Sequence, residues 1–300
     1  MDAISSGASL GATITGLDLS EPLNDATFGA LLRHLAEFGV LCIPHQMLTP
    51  ASQKAFTGMF GELEIHVAQL FQDPDHPEVM ILSNIIENGE PIGLADAGQD
   101  WHTDMSFSST IAFVNVLYGI KIPHRDGRAL GATQFADMAA AYDDLPTDVK
   151  RHIAPLTALH DFNKFWDMMC AKEGSTRRPL SPEQRRRKPP VSHPVVMTHP
   201  LSGRKILYAN PGYTVRINEL PPEESDELLA SLFAHQLQPI YQYAHHWSEH
   251  DVLIWDDIRT LHTAAADYLP SEHRLIKRCQ AMADRVFDPS FARLASVMTA

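Results

Sequence analysis

From Val79 onward the apolar residues fall into short runs: Val79 to Leu82, Ala112 to Ile120, Val195 to Met197, Ile206 to Ala209, Val252 to Trp255 and Leu275 to Met282. Gly, Pro, Asn and Asp separate them. Runs this short, bounded by turn residues, read as strands. Because they do not alternate regularly with helices, the pattern points to a sandwich or jelly roll and away from βαβ units. Two helical segments interrupt the series, near Met138 to Leu145 and near Pro222 to Leu237.

Ahead of this region, residues 10 to 48 read as strand, helix, strand. Asn24 or Asp25 can cap a helix whose Phe28, Leu31, Leu32 and Leu35 recur at helical spacing, and Val40 to Ile43 is a short buried strand. Thr49 and Pro50 supply an N-cap and a first-turn proline for another helix, with Gly61 expected to end it. There is no internal repeat. With 300 residues, 44% of them hydrophobic, the chain can build one sizeable core, and residues 1–300 are taken as a single domain.

Composition excludes several kinds of function. No apolar run approaches the roughly 20 residues of a membrane span, and the start Met1-Asp2-Ala3-Ile4-Ser5-Ser6-Gly7 has no signal-peptide character, so a cytoplasmic protein without a membrane partner is expected. Three scattered cysteines offer neither a disulfide framework nor a CxxC site. A net charge of −13 argues against nucleic acid as a partner. The sixteen histidines raise the prospect of metal chemistry.

Two histidines and one carboxylate on one side of an iron(II) ion leave adjacent positions open, the arrangement found in oxygen-activating enzymes. Its sequence form is HxD or HxE with a distant histidine, and sixteen histidines among 37 acidic residues yield about two such pairs by chance. Three occur. His76-Pro77-Glu78 and His124-Arg125-Asp126 lie among turn residues and read as surface loops. In His102-Thr103-Asp104 the ligand-type residues alternate with Trp101, Thr103, Met105 and Phe107, so an extended backbone would turn both toward one ion.

A second segment supports the choice. Val252 to Asp257 reads as a buried strand ending in a turn, followed by His262 and by Asp267-Tyr268-Leu269-Pro270. In the strand beyond, Arg274, Ile276 and Arg278 share one face. Inside a barrel each arginine would need an anion; on an exposed face neither would.

Trp101 to Asp104, Trp255 to Asp257 with His262, Asp267 to Pro270 and Arg274 to Arg278 together resemble the taurine and 2,4-dichlorophenoxyacetate dioxygenase family. Leu10 to Leu19, Phe60 to Leu63 and His193 to Pro200 extend the likeness almost end to end. The resemblance implies a mainly β fold with flanking helices, a distorted double-stranded β-helix of jelly-roll, cupin-like form. It also implies Fe(II), with 2-oxoglutarate and O2 as co-substrates, oxidation of a small anionic organic substrate with release of succinate and CO2, and a homo-oligomer. His102, Asp104 and His262 match the family's iron ligands. Arg274 matches the arginine on the far carboxylate of 2-oxoglutarate, Thr133 the threonine beside it, and Arg278 and His66 positions that hold the substrate's anionic group.

The chain departs from the family in Leu130-Gly131-Ala132-Thr133, in Met197 where an arginine is common, and in Gly98-Gln99-Asp100, which lacks the asparagine-rich run of taurine enzymes. A non-catalytic protein binding iron and 2-oxoglutarate, and a cupin-like metalloenzyme without the oxo acid, are the competing readings. Within residues 162 to 192, Arg177, Arg178, Arg185, Arg186, Arg187 and Lys188 fall among Pro, Ser and Gly without sustained periodicity; the segment reads as a solvated mobile loop or as a lid that draws in anions.

Overall fold

The computed structural model describes residues 1–65, 71–172 and 177–296. Seven strands form the main sheet, in the order Asp2–Ser5, Ala12–Thr15, Val40–Ile43, Val252–Asp256, Ala112–Lys121, Leu275–Met282, Met80–Ser83. All neighbours are antiparallel except Ala12–Thr15 with Val40–Ile43. Facing it is a three-stranded antiparallel sheet, Gln242–His245, Thr133–Asp137, Thr260–Ala264. Phe135 and Trp247 meet Leu117, Leu253, Trp255 and Ile276 in one buried cluster between the sheets. This is the jelly-roll architecture expected from the run pattern.

The central strand Ala112–Lys121 is buried over its first eight residues, as a strand covered on both faces must be. Its Val114, Val116 and Tyr118 join Leu31, Leu32 and Leu35 of the helix Asp25–Phe38 in the largest cluster. Asn24 caps that helix by accepting from the Thr27 N–H, a contact worth about 1 kcal/mol. Thr49 caps the next helix, Pro50–Thr57, which ends at Gly58 rather than Gly61. The strand Asp2–Ser5 was not expected, because its burial comes only from pairing with Ala12–Thr15.

Arg259 anchors the turn that leads to the site. It donates from Nε and Nη2 to both Asp137 oxygens, at 3.1 and 2.7 Å, and from Nη1 to the carbonyls of Ala36 and Glu37 near the C-terminus of helix Asp25–Phe38. A cation there also complements the helix dipole. Asp256 closes the same turn, accepting from the Ile258 and Arg259 N–H groups and, at 2.6 Å, from His199 Nε2.

Residues 162–192 are not the irregular loop suggested by composition, since they hold the helices Phe162–Cys170 and Pro182–Arg187. Local caps account for both: Asp161 accepts from the Asn163 N–H, and Ser181 with Gln184 forms a capping box. Of the rejected HxD pairs, His124-Arg125-Asp126 lies in an exposed hairpin that turns at Asp126 and Gly127, both at positive φ.

Candidate active site

His102 and His262 are held together through the main chain: each N–H donates to the other's carbonyl, at 3.1 and 2.9 Å. Their rings lie 4.2 Å apart. His262 belongs to the strand Thr260–Ala264, registered by pairing with Phe135. His102 is a single bridging residue, and Asp104 follows in a turn whose next residue, Met105, has φ of +54°. Asp104 therefore reaches the histidines through a tight turn and not, as expected, along an extended strand. His102 Nε2 lies 3.4 Å from Asp104 Oδ1, and His262 Nε2 lies 3.8 Å from Oδ2. One donor atom from each of the three side chains falls within 4.8 Å of the others, a set that could hold a divalent metal.

The surroundings prepare each donor. His102 Nδ1 is 2.6 Å from the Asp100 carbonyl, which can only accept, so Nδ1 donates there and Nε2 is the nitrogen turned to the cluster. Burial, with His102 next in weight, holds His262 well below the ordinary histidine pKa, so it is a neutral ligand. Burial pushes Asp104 up, but Arg278 and the two histidines outweigh it and hold the carboxyl well below its usual range. Asn115, Arg278 and Gln280 all donate to Asp104 Oδ2, at 3.1, 2.7 and 3.2 Å. Asp257 stands behind His262, with Oδ1 3.6 Å from Nδ1, and burial followed by the Asp104 charge pushes its carboxyl well up.

These groups open on a cavity of about 1170 Å³, lined among others by Thr133, Trp255, Arg274 and Arg278. That exceeds the roughly 300–1,000 Å³ of ordinary ligand pockets. Arg274 is 7% exposed, so the alternative of a solvent-facing arginine face is excluded. Burial lowers its pKa, offset in part by Tyr268 and Asp267. Its Nη2 reaches the Gly131 carbonyl at 3.5 Å, its guanidinium carbon lies 6.0 Å from the centre of the Tyr268 ring, and its Nε is buried without a partner among the described residues. Gly131 allows this packing because it has φ of +72° and a Cβ there would come 2.9 Å from Nε. Gly212 likewise lets the chain pass His102, where a Cβ would lie 2.8 Å from the His102 Cβ. Thr133 Oγ1 accepts from Trp247 Nε1 at 3.0 Å.

Arg278 was expected to look for its anion in the substrate. It already has protein partners, Asp104 at 2.7 Å from Nη2 and Asn115 at 2.7 Å from Nε, which is the ion-pair alternative. His66 lies outside the described residues. Asn115, Gln280 and Asp257 were given no role in the sequence. Asn115 carried a usable signal, an amide in the middle of the apolar run Ala112 to Ile120 that is fully buried in the structure.

The profile of the family described as taurine catabolism dioxygenase TauD, TfdA family matches residues 3–280. The chain belongs to this family. It is 31% identical over 295 residues to pentalenolactone F synthase of Streptomyces avermitilis, covering 94% of each protein. To the α-ketoglutarate-dependent 2,4-dichlorophenoxyacetate dioxygenase of Cupriavidus pinatubonensis it is 32% identical over 286 residues, 92% of this chain and 95% of that one. Among solved structures, AAD-2 in complex with Mn(II) and N-oxalylglycine superposes with a TM-score of 0.80 at 26% identity, covering 95% of this chain and 99% of the other. As a TauD/TfdA dioxygenase the chain is an oxidoreductase that uses Fe(II), 2-oxoglutarate and O2. No helix among the described residues is long and apolar enough to cross a membrane.

Proposed function

We propose that this dioxygenase hydroxylates a small anionic organic molecule, with His102, Asp104 and His262 holding Fe(II) and Arg274 holding 2-oxoglutarate. The observation that carries the reading is the buried Arg274 Nε, unpartnered among the described residues, in the same cavity as the two imidazoles and the carboxylate. A buried guanidinium lacking an acceptor is a costly arrangement that a ligand carboxylate would relieve. Two nitrogens and one carboxylate oxygen are the donor set iron(II) takes in oxygenases. The AAD-2 structure, with its divalent cation and diacid, supports the same pairing of sites.

When bound, iron(II) lets O2 oxidise 2-oxoglutarate to succinate and CO2 while the second oxygen atom enters a substrate C–H bond. The protein's part is placement. Arg274 binds the far carboxylate, and the Thr133 hydroxyl stands beside it. The Asp257 carboxyl lies behind the His262 ring, 3.6 Å from Nδ1 and short of a hydrogen bond, where a small approach would let it orient the ring as carboxylates do for ligating histidines. Trp255, Phe165 and Tyr213 pack on the two histidine rings and exclude water.

An anionic substrate is supported by the cavity wall, where six cationic side chains face three carboxylates among the described residues, in a chain of net charge −13. Arg177, Arg178, Arg187 and Lys188 of that wall come from residues 162–192, which supports the lid reading of this insert. Asp104 and Asn115 use two of the five N–H donors of Arg278, so the same guanidinium can take a substrate anion and, with His66, hold it opposite the co-substrate. The reading includes a homo-oligomer in the cytoplasm.

Succinate release with Fe(II), ascorbate and a panel of sulfonates, aryloxyalkanoates and alkyl sulfates tests the proposal, each compound paired with a neutral ester or amide. Acids should be turned over and their neutral partners should not; equal turnover of both overturns the anionic class. At saturating Fe(II), Arg278→Met should raise KM for the acid about tenfold or more and leave KM for 2-oxoglutarate unchanged. An unchanged KM for the acid would confine Arg278 to Asp104.

A further inference from the structure

A second group of ligand-type side chains lies between the two sheets. Cys42 on the strand Val40–Ile43, His245 at the end of Gln242–His245 and Asp251 just before Val252–Asp256 each direct a donor atom to one spot, the three atoms lying within 4.8 Å of one another. They are buried, at 8%, 6% and 5% exposure, and none is among the described residues lining the large cavity. Cys42 is a free thiol.

The feature that asks for a ligand is His245. Its Nε2 is buried without a hydrogen-bond partner, although Asp251 Oδ2 is 3.4 Å away. That oxygen instead accepts from the Ser248 N–H at 2.8 Å. The imidazole ring stands edge-on to Trp247 at 4.9 Å, and Trp247 is itself tied to Thr133. Buried imidazole nitrogens normally find a partner. A cysteine sulfur, an imidazole nitrogen and a carboxylate oxygen converging on one point form the mixed donor set of borderline divalent cations of the zinc type, and the Cys42 thiol, which burial and then Asp251 push up, would give up its proton on binding. The hard oxygen set of magnesium or calcium does not include sulfur.

We propose that Cys42, His245 and Asp251 form a second, buried metal site for a zinc-type divalent cation, separate from the His102, Asp104 and His262 cluster. Its three ligands come from both sheets. Val40–Ile43 and the start of Val252–Asp256 belong to the main sheet and Gln242–His245 to the smaller one, so a bound cation would staple them. His245 is paired across the sheet with Thr133, and Asp251 directly precedes the strand Val252–Asp256, which ends in the turn before His262. The staple would therefore brace two strands that shape the active site. The site calls for no substrate access, only loading as the chain folds.

The test uses the full chain with the first cluster disabled, His102→Ala with Asp104→Ala, so that metal bound there does not count. Expressed with zinc and freed of loosely held metal, this protein should retain one zinc per chain by mass spectrometry. Reconstituted with cobalt(II) after metal removal, it should show a thiolate-to-cobalt charge-transfer band in the near ultraviolet. Cys42→Ser should abolish the band, while Cys170→Ser and Cys279→Ser should keep it, so the assignment survives even if the Cys42 variant fails to fold. Absence of stoichiometric zinc together with absence of the band overturns the proposal. So does a band that disappears with Cys170 or Cys279.

Discussion

Arg259 and Arg274 stand fifteen residues apart and are both buried, at 1% and 7% exposure, but their surroundings differ. Arg259 donates from Nε, Nη1 and Nη2 to Asp137 and to three backbone carbonyls. Arg274 has one long contact to a carbonyl and a buried Nε with no partner among the described residues. A buried charge whose donors are all satisfied is part of the scaffold, since removing it strands its counter-charge. A buried charge left incomplete is held in place by packing and waits for an outside acceptor. The comparison separates fold from function within a single class of side chain.

The largest effect belongs to the cavity side. Asp104→Ala should lower iron-dependent succinate release per folded molecule by about a thousandfold or more, some 4 kcal/mol at 1.4 kcal/mol per tenfold, and should also lower the thermal melt, because Arg278 loses its carboxylate. Coupled hydroxylation surviving in that variant, without added carboxylate, would break the metal assignment. On the scaffold side, Arg259→Met should destabilise the fold by about 3–5 kcal/mol in denaturant unfolding, because Asp137 is left buried and uncompensated. Activity per folded molecule should stay near that of the unmodified chain.

Arg274→Ala should invert this pattern. KM for 2-oxoglutarate should rise by one to three orders of magnitude, about 2–5 kcal/mol, while iron binding and stability barely move. Should the variant lose stability as Arg259→Met does, the contrast between the two arginines is wrong.

His160 marks where the comparison stops. Its Nε2 is also buried and unpartnered, but it is not among the described residues of the cavity wall. Burial, with His193 and Lys164 adding to it, lowers its pKa from 6.5 to about 3. The unfolded chain therefore takes up a proton below pH 6.5 that the folded chain refuses, and stability falls as pH drops from there toward 3. His160→Gln should flatten that decline, by about 1.5 kcal/mol between pH 6.5 and 5. Stability curves of equal slope for both proteins over this range would show that His160 takes its proton within the fold.

Much of the site could be read before folding because its residues lie in short segments whose local pattern is informative. Two such segments, Trp101 to Asp104 and Trp255 to His262, carry the metal-ligand candidates, and the caps at Asn24 and Thr49 and the six apolar runs follow from local rules of helix and strand formation. The helix at Pro182–Arg187 was hidden because it is short and buries no residue, whereas Phe162–Cys170 does carry a period, Phe162, Phe165, Trp166 and Met169, that the charged and Pro-rich residues after it obscured. Family, fold and the identity of the candidate metal and oxoglutarate groups were thus determined by the sequence alone. Only the tertiary structure decided that Asp104 arrives by a turn, that Arg278 already holds a carboxylate, that the Arg274 Nε lacks an acceptor among the described residues where the Arg259 Nε has one, and that Cys42, His245 and Asp251 meet. Each of these depends on which distant strands become neighbours, and hydrogen-bond satisfaction between residues as far as 250 positions apart leaves no trace in local spacing.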